Sequence, residues 1–304
     1  MSASLGPRLW RYQAERFPLL RSGLVIAAFG GSTVAFSHLA RGAAGAPSIA
    51  LFAGAIASSL AMMALMRIAD EHKDAAEDAA FRPYRPVPRG LVSLGELRLV
   101  GACCAGAQLA IALAISPHLI PGLLLLWVWY ALMTAEFFVP AYLRAHPALY
   151  LASHMAIMPL LDFYVSSFDW APAGAHPPAT LAWFLGLSFA NGLVVEIGRK
   201  LRQPRDEERG VETYSALWGR ANAGGVWIAL LAVAAAVGCA AAHAAALPLR
   251  CVAALAGVFV IAFAFALGFL FRRVRGNAIE AAAGAWTFVS YTALGLLPLG
   301  VTLR

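Results

Sequence analysis

The chain has 304 residues, 61% of them hydrophobic and 13% charged, with a mean hydropathy of +0.72. An ordinary soluble domain is about 25% charged, so a soluble globular fold is excluded. The net charge of +7 would suit nucleic acid, but its placement along the chain, described below, identifies it with membrane topology instead.

The segment SLGPRLWRYQAERFPLLRSG spreads its arginines among Trp10, Tyr12 and Phe17 and has no short apolar core followed by a small-residue cleavage site. Residues 1–21 therefore read as an interfacial helix at the lipid headgroups, not as a signal peptide. A hydrocarbon core about 30 Å thick takes roughly 20 apolar residues per helix. Nine stretches meet that need: about 22–40, 47–66, 97–115, 119–143, 148–168, 179–198, 223–245, 250–271 and 281–302. The first is the weakest of the nine as a span, with Gly30, Gly31 and polar Ser32, Thr33, Ser37 and His38. Little chain remains for anything else, so residues 1–304 are expected to form one all-α polytopic domain, nine helices bundled around a central apolar cavity. Cys103, Cys104, Cys239 and Cys251 lie in these spans with no metal-binding or redox spacing and read as packing residues.

With the N-terminus in the cytoplasm, the connections near 67–96, 144–147, 199–222 and 272–280 share its side. Of the 23 Lys and Arg residues, 20 fall there, counting Arg98 at the head of the third span; Arg41, Arg250 and Arg304 fall opposite. This is the positive-inside pattern and predicts an inner-membrane protein with those loops in the cytoplasm.

Two of these loops concentrate charge. DEHKDAAEDAAFRPYRPVPRG, residues 70–90, carries five carboxylates, one lysine and three arginines. Read as a helix continuing from the second span, Asp70, Asp74 and Asp78 form one stripe, with Arg67 and Glu71 on adjoining rows. Like charges at this spacing repel. Either the loop is simply solvated and mixed in charge, or cations such as Lys73, the arginines or a metal compensate the stripe. Hard Mg²⁺ favours carboxylate oxygens together with substrate phosphates. Prolines then forbid helix and hold Arg82, Arg85 and Arg89 in an extended return. The second loop, EIGRKLRQPRDEERGVE, holds Glu196, Arg199, Lys200, Asp206, Glu207 and Glu208; Glu196 and Lys200 at i,i+4 also suit a plain helical ion pair. Within the spans Asn191, His154 and Asp162 stand out, because polar groups there are expensive and default to a functional suspicion, although each also suits a satisfied packing role.

The first loop resembles the aspartate-rich motif N-D-x-x-D-x-x-x-D, followed by R-P-x-P-x-G, of the UbiA-type intramembrane prenyltransferase superfamily. Asp70 and Glu71 stand at the Asn and first Asp positions, Asp74 and Asp78 at the later aspartates, and RPVPRG ends at Gly90. GVETYSALWG, residues 210–219, resembles the segment closing the superfamily's second motif. There Glu196 replaces an aspartate, and Lys200 and Gln203 replace acidic positions. The resemblance implies nine helices with motif loops after the second and sixth. It implies an isoprenyl diphosphate substrate (geranyl, farnesyl or geranylgeranyl), a small hydrophobic acceptor, and Mg²⁺ as cofactor. Asp70, Glu71, Asp74 and Asp78 would hold the first Mg²⁺, and Glu196 with Asp206 or Glu207 the second, with Lys200 supplying part of its charge. Arg67, Lys73, Arg82, Arg85, Arg144 and Arg199 would contact the diphosphate, Arg144 on a stripe with Glu136 and Pro140. Trp127, Trp129, Tyr130, Phe137, Phe138, Tyr164, Trp183 and Phe184 would wall the chamber, and His154 or Asp162 would take up a final proton. The expected reaction is prenyl transfer. The alternative is a UbiA-type terpene cyclase, which ionises the same substrate without an acceptor. A transporter is disfavoured, because no internal repeat is visible and the charges crowd one interface.

Overall fold

With no water in a bilayer core to satisfy backbone N–H and C=O groups, so apolar a chain closes its hydrogen bonds within helices. The computed structural model describes residues 4–207 and 211–302, and no strand occurs among them. In chain order the helices are α1 (Leu5–Arg16), α2 (Leu19–Ala40), α3 (Ile49–Lys73), α4 (Ala75–Phe81), α5 (Leu94–Ile115), α6 (Ile120–Thr134), α7 (Pro140–Ala145) and α8 (Pro147–Met155). There follow α9 (Ile157–Trp170), α10 (Leu181–Arg199), α11 (Tyr214–Trp218), α12 (Arg220–Ala244), α13 (Leu249–Leu270), α14 (Gly276–Leu294) and α15 (Leu296–Thr302). Among the described residues eight helical segments, α8 and α9 counted together, are long and apolar enough to cross a membrane. The protein is an all-α polytopic membrane protein.

The span that carries Ser32, Thr33, Ser37 and His38 lies at the centre. In α2, 67% of the apolar window is buried, and in α10 56%, against 17% in α5 and α6. α2 packs on α3, α9, α14 and α15, and α10 on α8, α9, α12 and α14. The polar residues of α2 explain its position: they need partners, and only neighbouring helices provide them. Thr33 donates to Asp162 at 2.5 Å, and Ser37 donates to Asp169 at 2.8 Å. Asp169 also takes His38 at 2.9 Å and Arg41 at 2.8 Å. Asn191 accepts from Trp286 at 2.7 Å and donates to Ser290 at 3.1 Å, joining α10 to α14 rather than facing a cavity.

Three expected spans are interrupted, and each break has a local cause. The stretch 119–143 is not one helix. Glu136, Phe137 and Phe138 take left-handed φ values of 46°, 51° and 60°, and Pro140 has no N–H to return to Glu136. The expected Glu136–Pro140–Arg144 stripe therefore does not exist. The stretch 148–168 breaks at Ala156, between α8 and α9, where Pro159 cannot bond the Met155 carbonyl. The stretch 281–302 parts at Gly295 into α14 and α15; Pro298 cannot bond Leu294, and a Cβ on Gly295 would lie 2.2 Å from the Ser32 carbonyl oxygen. Gly295 thus lets the chain turn directly against α2.

At the N-terminus α1 is docked on the protein. Tyr12 is buried with Ile68, Val92 and Leu97, flanked by Leu9 and Val87, while Trp10 is exposed. The lipid-facing expectation thus describes only one side of this helix.

Candidate active site

α3 runs past the apolar stretch as far as Lys73, so Asp70 stands on its last turn. Asp74 (φ −86°, ψ 1°) then interrupts the helix, and α4 resumes at Ala75. The interruption divides the acidic stripe. Asp70 is 55% exposed, and its nearest cation, Arg67, is 3.7 Å away. Asp74 is half-buried, and among the described residues its carboxylate makes no hydrogen bond or ion pair. The other two carboxylates already face arginines. Glu71 is 1% exposed and its Oε1 accepts from Arg16 at 2.6 Å and Arg67 at 2.9 Å, while its Oε2 is buried with no hydrogen-bond partner among the described residues. Asp78 is 2% exposed and held by Arg85 at 2.7 Å and Arg82 at 3.1 Å. Arg82 also pairs with Glu77. These arginines pin the RPVP return to α4, and Gly90, at φ 75°, closes the return where a side chain would be strained.

Lys73 projects to another side of α3. It bonds Glu136 at 2.6 Å and the Tyr150 hydroxyl, and its ammonium lies 4.7 Å above the Tyr150 ring. Tyr150 stacks on His154 at 3.9 Å, and Phe137 meets both His154 and Trp129 edge-on. His154 Nδ1 bonds the Tyr150 carbonyl, while its Nε2 is buried without a partner. The left-handed loop at Glu136–Phe138 thus carries one acid to Lys73 and one ring to His154.

The end of α10 supplies the second group. Glu196 accepts from Arg199 at 2.5 Å and from Lys200 at 3.0 Å, and Lys200 lies 5.7 Å above the Tyr214 ring. Asp70 is within Coulombic reach of both Arg199 and Glu196, and His154 within reach of Lys73, Glu136 and Glu196. The ends of α3, α8 and α10, with Tyr214 of α11, therefore form one electrostatic neighbourhood. Burial, reinforced by the Glu196 charge, raises the Tyr214 phenol well above its ordinary value and keeps it a neutral donor.

Other expected site residues have different partners. Asp206 pairs with Arg275 at 2.5 Å, which holds its carboxyl below the usual carboxylate range. Glu207 accepts from Thr213 at 2.7 Å. Glu208 and Gly210 lie outside the described residues. Arg144 is exposed, with one bond to the Pro140 carbonyl. Asp162 is fully buried between Thr33 and Tyr291, which donates at 2.6 Å, so it has a packing role. Of the expected walls, Phe138 and Trp183 are exposed, whereas Tyr164 and Phe184 are fully buried. Tyr150 and Tyr214 were not singled out from the sequence. Tyr150 stands one turn before His154, a spacing that places both on one helix face.

A cavity of about 640 Å³ opens between α3, α5 and α6, lined by Leu65, Ile68, Gly101 and Tyr130, with Lys73 and Glu136 at its edge. A second, of about 520 Å³, lies between α6 and α9 at the opposite end, and its lining holds no Lys or Arg.

Whether the site suits a divalent cation turns on its donors. Among the described residues no group of three or more His, Cys, Asp or Glu gathers as a metal cluster, and Glu196, Asp206 and Glu207 are not brought together as one. Mg²⁺ requires less: one or two carboxylates plus substrate phosphates. Asp70, exposed with Arg67 only at 3.7 Å, and Asp74 are hard oxygen donors one turn apart and fit that donor set.

None of the curated proteins compared with the chain matches its sequence. Among solved structures it resembles a digeranylgeranylglyceryl phosphate synthase, at 14% identity and a TM-score of 0.56, over 95% of this chain and 99% of that one. That likeness establishes a shared fold. Residues 28–297 match the profile of the UbiA prenyltransferase family, which spans most of the sequence and includes both charged loops. The chain belongs to the UbiA prenyltransferase family.

Proposed function

We propose that the protein ionises an isoprenyl diphosphate at its Asp70–Arg199 face and transfers the prenyl group to a small hydrophobic acceptor, with Mg²⁺ as cofactor. The observation that supports this most directly is the meeting of the exposed Asp70 carboxylate at the end of α3, with Asp74 next to it, and the cationic end of α10. In a family of prenyltransferases, that combination suits a diphosphate better than a neutral ligand.

Asp70 and Asp74 would hold the Mg²⁺, which neutralises charge on the departing diphosphate when bound. Arg199 and Lys200 share one carboxylate, Glu196, so the pair retains positive charge for diphosphate oxygens. Fixed cations of this kind act most strongly on the charge that develops as the C–O bond breaks. Lys73, paired with Glu136, and Arg67, shared between Glu71 and Asp70, stand at the edge of the same neighbourhood. Arg82 and Arg85 hold the loop through Asp78 and act on its shape. The faces of Tyr150 and Phe137 suit an allylic cation. His154, whose Nε2 has no hydrogen bond among the described residues, would be the base that receives a proton.

The test is product analysis of the purified protein with Mg²⁺ and geranyl, farnesyl or geranylgeranyl diphosphate. Release of pyrophosphate matched to a prenylated acceptor, and dependent on that acceptor, is the expected result. A cyclic hydrocarbon formed from the diphosphate alone would replace transfer by cyclisation, and no turnover of any prenyl diphosphate would sink both readings.

A further inference from the structure

The Arg16–Glu71 pair joins residues 55 positions apart and brings the N-terminal helix into the acidic motif. The contact belongs to a wider seam. Arg8 of α1 bonds Glu96 at 2.5 Å and the Leu91 carbonyl at 3.1 Å. Glu15 takes Arg89 of the RPVPRG return at 2.7 Å. Between these polar contacts Tyr12 and Leu9 pack on Ile68, Val92 and Leu97. α1 thus touches the last turns of α3, the return loop and the head of α5 together.

At the centre of the seam, one carboxylate faces two guanidinium groups. Glu71 Oε1 accepts from Arg16 at 2.6 Å and from Arg67 at 2.9 Å, while Arg67 stands 3.7 Å from Asp70. Glu71 Oε2 is buried with no hydrogen-bond partner among the described residues, yet a carboxylate with 1% of its side chain exposed and two guanidinium groups on its other oxygen has neither the access nor the net negative charge that a divalent ion needs. Asp70 and Asp74 have both. At 100° per residue, Glu71 also points about a quarter-turn away from Asp70, toward α1.

We infer that Arg16 is a positioning residue: it closes α1 onto Glu71 and assigns the motif's second carboxylate to a structural Arg16–Glu71–Arg67 triad, leaving cation binding to Asp70 and Asp74. Glu71 stands where the sequence resemblance implied a metal ligand, so the chain has moved that duty to its neighbours and used the position to anchor its N-terminus. Arg67, shared between Glu71 and Asp70, is the link: α1 sets where that guanidinium stands beside the open acids. This inference rests on the diphosphate reading of the site only for what Asp70 and Asp74 bind; the docking of α1 is independent of it.

The full chain in detergent micelles carries the test, with two readouts. Amide hydrogen exchange over residues 5–16 reports the docking of α1, and electron paramagnetic resonance of Mn²⁺ with inorganic pyrophosphate reports cation binding. In R16A and E71Q, exchange across α1 is expected to rise on the order of tenfold or more, because each leaves a buried charge or donor unmatched. Mn²⁺ affinity in both should stay within about threefold of the native chain, well short of the roughly tenfold or greater loss that removing a ligand produces. R16K should restore protection. D74N should give the converse, weak Mn²⁺ binding with α1 protected. Mn²⁺ loss in E71Q equal to that in D74N, or unchanged exchange in R16A, overturns the inference. Native-like Mn²⁺ binding in D74N, or no Mn²⁺ binding by the native chain, overturns the diphosphate reading instead, and the exchange data still decide the role of Arg16.

Discussion

Asp74 and Asp78 stand four residues apart in one motif yet are held in opposite ways. Asp74 has no bonded partner, while Asp78 is 2% exposed beneath Arg82 and Arg85. Asp74→Ala is therefore expected to abolish prenyl diphosphate turnover and leave the thermal unfolding midpoint unchanged. Asp78→Ala strands the Arg85 guanidinium and leaves Arg82 only Glu77, and breaking such a buried pair costs about 3–5 kcal/mol, so its first effect should be a large fall in that midpoint. Equal loss of stability in both variants would contradict this division. Tyr12 gives a second prediction. Its hydroxyl is buried and makes no hydrogen bond of good geometry among the described residues, although the Arg67 guanidinium lies beside it, and burial, with Glu71 nearby, pushes its pKa from 10.0 up to about 12. A phenol whose folded pKa is raised contributes stability that is complete below the unfolded value and lost as pH climbs through the folded one. Unfolding midpoints should thus drop between about pH 10 and 12. Tyr12→Phe should lack that component of the drop. At neutral pH it should be as stable as the native chain or more so, since an unmatched buried hydroxyl costs about 1–3 kcal/mol. A less stable Tyr12→Phe would show that the hydroxyl has a partner.

At the scale of elements, what the sequence discloses depends on the range of the interaction involved. Hydropathy locates the spans because each is a local property of about 20 residues, and α3 follows its expected course through Asp70. Proline chemistry is local too, so the breaks near Pro140, Pro159 and Pro298 were open to the same reasoning; hydropathy averaged over a long window passes across them. The left-handed turn at Glu136–Phe138 had no such signal, since none of its residues favours positive φ. Gly295 is explained only by its neighbour: a Cβ there would lie 2.2 Å from the Ser32 carbonyl oxygen and 2.5 Å from the Ser32 Cα. Gly295→Ala should therefore push α14 and α15 off α2, with the cost of about 1–3 kcal/mol typical of overpacking. The measurement is the unfolding midpoint, alongside Gly284→Ala, whose Cβ would meet nothing within 4 Å and should be neutral or mildly stabilising. Equal effects of the two substitutions would refute the close approach.

Across the whole molecule, the ion pairs explain why the motif could be recognised in the sequence before its division of labour. Arg16–Glu71 and Arg8–Glu96 span 55 and 88 positions, and no periodicity reports which acid an arginine 55 residues distant will neutralise. The tally of charge by side is different, because it depends on span count and loop position alone. Nearly all Lys and Arg residues sit at the end of the bundle where α3 and α10 finish, and Arg41, at the other end, is neutralised by Asp169. The cationic excess near the mouth therefore has two consequences. It would hold that end in the cytoplasm, and it would attract an anionic substrate from the same side. Orientation is tested by cysteine accessibility in intact cells, after replacing the four free cysteines. Tyr84, in the return loop, and His176, between α9 and α10, are both exposed. A cysteine at 176 should react with a membrane-impermeant maleimide added outside, whereas one at 84 should react only after permeabilisation. Labelling at 84 in intact cells would place the acidic mouth on the outer side. The charge count would then have failed as a guide to topology, and a cytoplasmic supply of isoprenyl diphosphate would be ruled out.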